Sequence, residues 1–306
     1  MNSITTRLAG TWLVLMIATI STDTCRGDLF ALLSGNNGIV RMDSTTGAVI
    51  DTYSGFDPFF PVPILTNAGL AFDGRRLYVN RRLDPATEEI WSFDLASETW
   101  QPLGILDTFS IDPSGPHQLS GLGYTPGMFG EGSLISVSRR ISDIRPSYLV
   151  EYALFPPFGI FTPMFPVGAL PADIDALGVD YDPASGEIWI AAEEVEGTTR
   201  TPLLLRTDQA GNVLATVTPA LGPATIPRGL AFDNGNLFVA ARNLPAIANE
   251  VHQIDRGTGV VLNAFLIPGG GTVAALAGGT VIPEPSTGLL SALVLGWLAC
   301  CVRRHV

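Results

Sequence analysis

The sequence predicts an all-β fold, closed into a ring of short four-stranded sheets, and three observations lead there. The first is a recurring motif. Gly69-Leu70-Ala71-Phe72-Asp73 is followed, after three residues, by Leu77-Tyr78-Val79, and Gly229-Leu230-Ala231-Phe232-Asp233 by Leu237-Phe238-Val239 at the same spacing. Gly178-Val179-Asp180-Tyr181-Asp182 precedes Ile188-Trp189-Ile190, and Gly121-Leu122-Gly123-Tyr124-Thr125 precedes Leu134-Ile135-Ser136-Val137. The second is the period: these starts lie 52, 57 and 51 residues apart. The third is a hairpin closing each unit. Short apolar strands and turns repeating near this length are the pattern of a β-propeller.

Taken in order, each unit supplies four strands, A to D from the axis outward. The motif gives strands A and B. Strands C and D come from stretches such as Ile39-Val40-Arg41-Met42-Asp43, which turns through Thr45-Thr46-Gly47 into Val49-Ile50, and Val251-His252-Gln253-Ile254-Asp255, which turns through Gly257-Thr258-Gly259 into Val260-Val261. Ile90 to Asp94 and Leu204 to Asp208 behave alike. An Asp that bonds its own turn and a Gly that takes positive φ fit such hairpins, so Asp43, Asp94, Asp208 and Asp255 read as turn caps rather than metal ligands. The N-terminal piece, from Leu29-Phe30-Ala31-Leu32-Leu33, offers strands B to D only, while Thr272 to Ala277 offers a spare inner strand. Joining the two completes a blade and removes exposed edges. The count is five blades, or six if the stretch from 121 to 178 merges two units.

Both ends carry targeting signals. Arg7, an apolar stretch from Leu8 to Ile20, and polar residues to Asp28 read as a secretory signal peptide over residues 1–27, too short for the roughly 20 residues a spanning helix needs. Cys25 and Gly27 fit the positions before a cut at Asp28; Thr22 and Thr24, before Cys25, are the rival. After the propeller body, residues 28–280, the segment 281–306 holds Pro283-Glu284-Pro285, an apolar run from Gly288 to Val302, and Arg303-Arg304-His305. The run would reach about 22 Å as a helix, short of the bilayer core, with its positive flank on the cytoplasmic side.

This tail resembles the PEP-CTERM sorting signal. The resemblance implies recognition of Pro283, Glu284 and Pro285 by an exosortase-type membrane protease, transient membrane insertion of the C-terminal segment, and a body delivered to the cell envelope, surface or extracellular space. The basic cluster is shorter than the arginine runs usual in that family. The repeats, best seen from Pro227 to Ala240, resemble secreted propellers of the NHL, YVTN and quinoprotein-like kind. That likeness implies fold and leaves function open.

Composition narrows the chemistry. From Asp28 to Ile282 there are 13 arginines against 27 acidic residues, net −14, which argues against nucleic acid as a partner. The chain has no lysine, so amine chemistry is excluded. Cysteines occur only at 25, 300 and 301, leaving the body without disulfides or thiolates. His117 and His252 stand far apart and read as ordinary surface or turn residues.

One face of the ring draws attention. Counting along each B strand gives Ser34, Arg82, Arg139, Glu193 and Arg242 as equivalent positions on the face of the B–C and D–A connections, with Arg81 and Arg140 adjacent. Arg82, Arg139 and Arg242 form a candidate anion-binding set, since guanidinium forks suit carboxylate, sulfate or phosphate; salt bridges to Glu193, Asp84 and Asp143 are the plainer reading. Two aromatic-proline loops, 56–63 and 155–166, share that face, as a contact platform or as packing over the blade ends. Asp180 to Glu187 falls short of a calcium loop and reads as an A–B turn. No catalytic constellation, metal set or cofactor motif stands out. The expected function is non-catalytic: binding or scaffolding, toward extracellular polysaccharide or a protein. The alternative is a metal-dependent hydrolase resembling gluconolactonase-like propellers, although Arg228 stands where that family's motif places an Asp ligand.

Overall fold

A computed structural model describes residues 27–34, 38–53, 68–84, 87–108, 111, 117–125, 132–140, 147–155, 159–160, 165–222, 225–243, 248–268 and 272–280. Residues 1–26 of the signal-peptide segment, the sorting segment, and most of both aromatic-proline loops lie outside the described residues. Blade 1 begins with β1 (Gly27–Ser34), β2 (Gly38–Asp43) and β3 (Val49–Tyr53). Blade 2 is β4 (Leu70–Phe72), β5 (Arg76–Asp84), β6 (Thr87–Asp94) and β7 (Thr99–Asp107). Blade 3 is β8 (His117–Thr125), β9 (Ser133–Arg140), β10 (Tyr148–Phe155), the two-residue β11 (Gly159–Ile160) and β12 (Phe165–Ala169). Blade 4 is β13 (Ile174–Asp182), β14 (Glu187–Glu196), β15 (Thr199–Thr207) and β16 (Val213–Val217). Blade 5 is β17 (Thr225–Asp233), β18 (Asn236–Asn243), β19 (Ala248–Ile254) and β20 (Val261–Leu266). Then β21 (Thr272–Thr280) returns to pair with β1 and completes blade 1 in the order β21-β1-β2-β3. The protein is a five-bladed β-propeller.

The long third unit is an elaborated blade. Its outer edge is shared: β12 pairs with the start of β10 and β11 with its end. The extra length is spent on that second edge segment, which settles the count at five.

Strand periodicity explains the ring. Leu29, Ala31 and Leu33 pack into the layer between blades 5 and 1, whereas Phe30 and Leu32 pack into the layer between blades 1 and 2. Likewise Ile188 and Ile190 face blade 3, and Trp189 and Ala191 face blade 5. Five such apolar layers exist, one per blade interface, including the one across the chain's ends. Inner strands are apolar on both faces because both are covered. The outermost strands are mostly exposed, β3 and β20 above all.

Closure joins residues far apart in sequence. The register runs from Gly27↔Thr280 to Ser34↔Thr272, and Ser34 Oγ donates to Thr272 O at 3.0 Å. Closing so long a loop costs about 3–4 kcal/mol more than a short hairpin, because the entropy grows only with the logarithm of length. Leu29, Leu33, Val273 and Leu276 are each 1% exposed or less in the layer this closure completes. At about 1.5–3 kcal/mol per buried side chain, burial outweighs that penalty.

The inner strands meet backbone to backbone. A Cβ built on Gly121 would sit 2.6 Å from the Cα of Gly178, and one on Gly178 would sit 3.1 Å from the Cα of Gly229. Gly69 abuts Gly121 in the same way, and Gly229 abuts Ala275 and Leu276 of β21. The repeats starting at 69, 121, 178 and 229 open on glycine because a side chain there would meet the neighbouring backbone, and only β21 places the small Ala275 at this step. Gly229→Ala should therefore lower stability by about 1–3 kcal/mol, read as a drop in the urea midpoint with the far-ultraviolet dichroism of the native state unchanged. An unshifted midpoint would mean the inner strands can part without penalty.

Candidate functional site

On the A–B turn side of this ring the axis opens into a cavity of 490 Å³ to which all five blades contribute. Blade 2 offers Phe72 and Asp73, blade 3 Tyr124, blade 4 Asp180 to Ala184, blade 5 Phe232 to Gly235, and blade 1 the backbone of Gly278 and Gly279. This face is opposite the B–C and D–A face on which the arginine positions lie.

The turns that frame the cavity are built by aspartates. Asp73 Oδ1 accepts from the amides of Arg75 (2.8 Å) and Arg76 (2.6 Å), and Tyr78 Oη donates to Asp73 Oδ2 at 2.7 Å. Tyr78 stacks on Tyr124, centroids 6.4 Å apart, which fixes one aromatic wall. Asp182 accepts from the Ala184 amide (3.0 Å), Ser185 Oγ (2.7 Å) and Arg256 Nη1 (2.5 Å), and Arg256 also lies over the Phe232 ring. In blade 5 Asn234 and Gly235 both take positive φ, 47° and 76°, the conformation of a tight two-residue hairpin turn.

Asp180 has a different role. It lies on β13, two residues past the tight Gly178, at the step that the other blades fill with Ala71, Gly123, Ala231 and Ala277. Four blades keep this inner-strand position small, and one places a carboxyl there. Asp180 Oδ2 accepts from the Phe232 amide of the neighbouring blade at 2.8 Å, while Oδ1 lies toward Gly123 on the other side. Its side chain keeps partial contact with the cavity, yet protein atoms crowd around it. Burial pushes its carboxyl up to about 8, against the pull of the Phe232 and Tyr181 amides, and the charge of Asp182 adds to the rise. Among the described residues no arginine pairs with it; Arg256 is engaged by Asp182. Asp233, 2% exposed at the rim, is also raised by burial, with Ser44 opposing and Asp28 and Asp43 adding repulsion. Among the described residues, no group of three or more His, Cys, Asp or Glu side chains has metal-ligand geometry.

The sequence from Asp180 to Glu187 reads as an A–B turn; in the structure the turn is capped by Asp182, and Asp180 belongs to the inner strand. The available signal was the repeat itself, in which a lone acid breaks a column of Ala and Gly. The C–D aspartates do cap turns: Asp43, Asp94, Asp208 and Asp255 each accept amides two to four residues ahead. The histidines are corrected. His117 is fully buried on β8 with Nδ1 3.4 Å from Ser138 Oγ, and His252 is buried on β19 beside Glu250 at 3.2 Å.

On the opposite face the predicted register holds. Gly178↔Ala191 and Gly229↔Ala240 put Glu193 and Arg242 at the same step, two residues on, and Ser34 and Arg82 occupy that step in their blades. Arg82 is half-buried, and its Nε donates to the Asp84 carbonyl at 3.0 Å. Arg81 points the other way, pairs with Glu89 at 2.7 Å and lies over Trp91. Arg242 is half-buried, opposite Ile226 and Asn249. Arg139 pairs with Gln118 in the ladder, and its side chain lies outside the described residues, as do Asp143 and Arg140's side chain. Glu193 is taken by Arg200, which spans Glu193 (2.8 Å) and Asp175 (3.0 Å) and was not singled out in the sequence. Below this face Glu88, 1% exposed, accepts from the Leu119 amide at 3.3 Å and is pushed up to about 8 by burial.

No family model matches the chain, and no curated protein does. Solved structures do. Hydrazine synthase of Kuenenia stuttgartiensis is 15% identical, covering 74% of this chain and 61% of that one, with a TM-score of 0.42. The periplasmic gluconolactonase of Pseudomonas aeruginosa is 16% identical, covering 80% and 69%, with a TM-score of 0.42. A GH43 glycoside hydrolase is 12% identical, covering 72% and 42%, with a TM-score of 0.46. The chain spans about three fifths of the first and two fifths of the third.

Two buried acids with raised values set a pH dependence. Between about pH 4 and pH 8 the unfolded chain has lost the protons of Asp180 and Glu88 while the folded chain keeps them. Stability therefore falls as pH rises through that window, by on the order of 1 kcal/mol per pH unit per group, and levels off above it. The exposed caps Asp208 and Asp255, lowered by their hydrogen bonds, act in the opposite sense only at more acid pH. Urea midpoints at a series of pH values should decline from mildly acid to mildly alkaline buffer. Asp180→Asn and Glu88→Gln should each flatten the decline, and a profile unchanged by both would refute the assignment.

Proposed function

We propose that this is an exported propeller that binds a ligand in its axial pocket without transforming it, with surface polysaccharide as the ligand class. One observation carries the binding part: all five blades build one cavity with aromatic walls and a carboxyl at its floor. Its volume falls within the roughly 300–1,000 Å³ of small-molecule sites. Rings beside hydrogen-bonding side chains suit the apolar faces and hydroxyls of a sugar unit. The polysaccharide class comes from the address. Residues 1–27 and 281–306 support export, handling by an exosortase-type protease at Pro283, Glu284 and Pro285, and delivery to the envelope or beyond.

Asp180 favours a second reading, a hydrolase. A carboxyl that keeps its proton near neutrality is in the form a general acid needs. Its nearest carboxylate, Asp182, is held by Arg256, Ser185 and the Ala184 amide, so that group is less available as a base or nucleophile. Binding without turnover is therefore the better-supported reading.

Mass spectrometry of the protein recovered outside the producing cells should find a C-terminus near Pro283 to Pro285; an intact Val306 there would refute the routing. On a glycan array, Tyr181→Ala should weaken binding about three- to tenfold, in keeping with the worth of one aromatic contact. The triple change Arg82→Ala, Arg139→Ala, Arg242→Ala should leave it unaltered. The reverse pattern, with anionic glycans lost, would move the site to the arginine face.

A further inference from the structure

We infer that the axial pocket selects a compact organic ammonium, such as an amino-sugar unit, by placing its positive charge against Asp180. The inference rests on the pocket being the binding site, and it names the ligand's charge.

Three features of the cavity converge on a cation. The first is an acid without a counter-ion. Around the cavity Asp182 has Arg256, Asp73 has the amides of Arg75 and Arg76 with the Tyr78 hydroxyl, and Asp233 has Ser44 and the Asn234 side chain. Asp180 has only the amides of Phe232 and Tyr181. The charged or titratable groups around it are Tyr181 and Asp182 on its own strand, Tyr124 from β8, Asp73 beyond β4, Asp233 from β17, and Arg256 through Asp182. All but Arg256 are acidic or neutral, and that arginine is committed. The second feature is the wall: Phe72, Tyr124, Tyr181 and Phe232 line the cavity, and aromatic faces attract ammonium groups. The third is the repeat. The other four blades hold Ala or Gly at this step, so the fold does not need the carboxyl.

Binding of a fixed positive charge draws Asp180 toward its ionised form, since an opposite charge nearby favours the carboxylate. Atoms balance simply: the ammonium enters with its protons, and the Asp180 carboxyl gives up one proton to the solvent. Selectivity and proton release are thus two readouts of one event.

Isothermal titration calorimetry of the purified protein tests it, with glucosamine against its neutral counterparts glucose and N-acetylglucosamine. At about pH 6, where the amine is charged, glucosamine should bind at least about tenfold more tightly than either. Heats in buffers of different ionisation enthalpy should show release approaching one proton per ligand. Asp180→Asn and Asp180→Ala should both lose the preference and the proton release; the alanine variant places in blade 4 what blades 2, 5 and 1 already carry, so it should fold. Equal binding of all three sugars, each weakened by Tyr181→Ala, would overturn the ammonium inference while the pocket stands. Binding of none would overturn both. A glucosamine preference that survives both Asp180 variants would also overturn the inference.

Discussion

The approach of the inner strands at the axis is the constraint on which the rest depends. Gly69, Gly121, Gly178 and Gly229 let neighbouring backbones come within ordinary contact of one another, and β21 completes the circle at Ala275 and Leu276. With the axis drawn this tight, the blades splay outward at the angle five sheets require, and each exposes two apolar faces to its neighbours. The layers then fill with Leu, Ile, Val and aromatic side chains in strict alternation. The N-terminal and C-terminal strands must meet for the same reason: a missing inner strand would leave a gap at the axis and uncover two layers at once.

Much of this fold was legible because a propeller repeats its solution. The glycine that opens each unit, the alternation after it and the Asp–Gly hairpin turns all report local needs, and local needs are written in local sequence. The closing strand was legible by arithmetic, since the first unit lacked an inner strand and the last piece had one to spare. Blade 3 was ambiguous because pairing partners are not local. Nothing in Gly159 and Ile160 says that they share the edge of β10 with Phe165 to Ala169. The histidines were misplaced for a related reason. His117 sits among Ser138, Thr108 and Tyr148, residues from other segments that bury it, and a polar residue in a strand looks exposed until its neighbours are known.

The candidate site was less legible than the fold, and the two faces of the ring explain why. On the B–C side the sequence displays its charges openly: Arg82 and Arg242 recur at one step, and the eye follows them. There, however, Arg200 already bridges Asp175 and Glu193, and Arg82 bonds to its own chain. On the A–B side the acids look like turn caps, and most are. Only contacts to other blades separate Asp182, which caps, from Asp180, two residues earlier, which reaches across to the Phe232 amide of blade 5. Spacing alone cannot separate them, because both fall within one acidic stretch.

A residue that breaks a repeat against the fold's own interest needs a reason outside the fold. Burying a carboxyl without a cation works against stability, and desolvation is the leading cause of Asp180's raised value. The repeat shows a cheaper solution at this step: Ala71, Ala231 and Ala277 fill it with a methyl group, and Gly123 with less. Glu88 is buried at comparable cost, yet it accepts from the Leu119 amide across the junction of blades 2 and 3 and from Asn80 within its own blade, so a structural role accounts for it. Asp180 also accepts one amide across a blade junction, but the equivalent steps in other blades manage without such a bond. What distinguishes it is the open side. It lines a cavity of ligand size, ringed by aromatic side chains. Sites where a local rule fails while the surrounding consistency holds are where function is to be sought, and in this ring that place is the floor of the axial pocket.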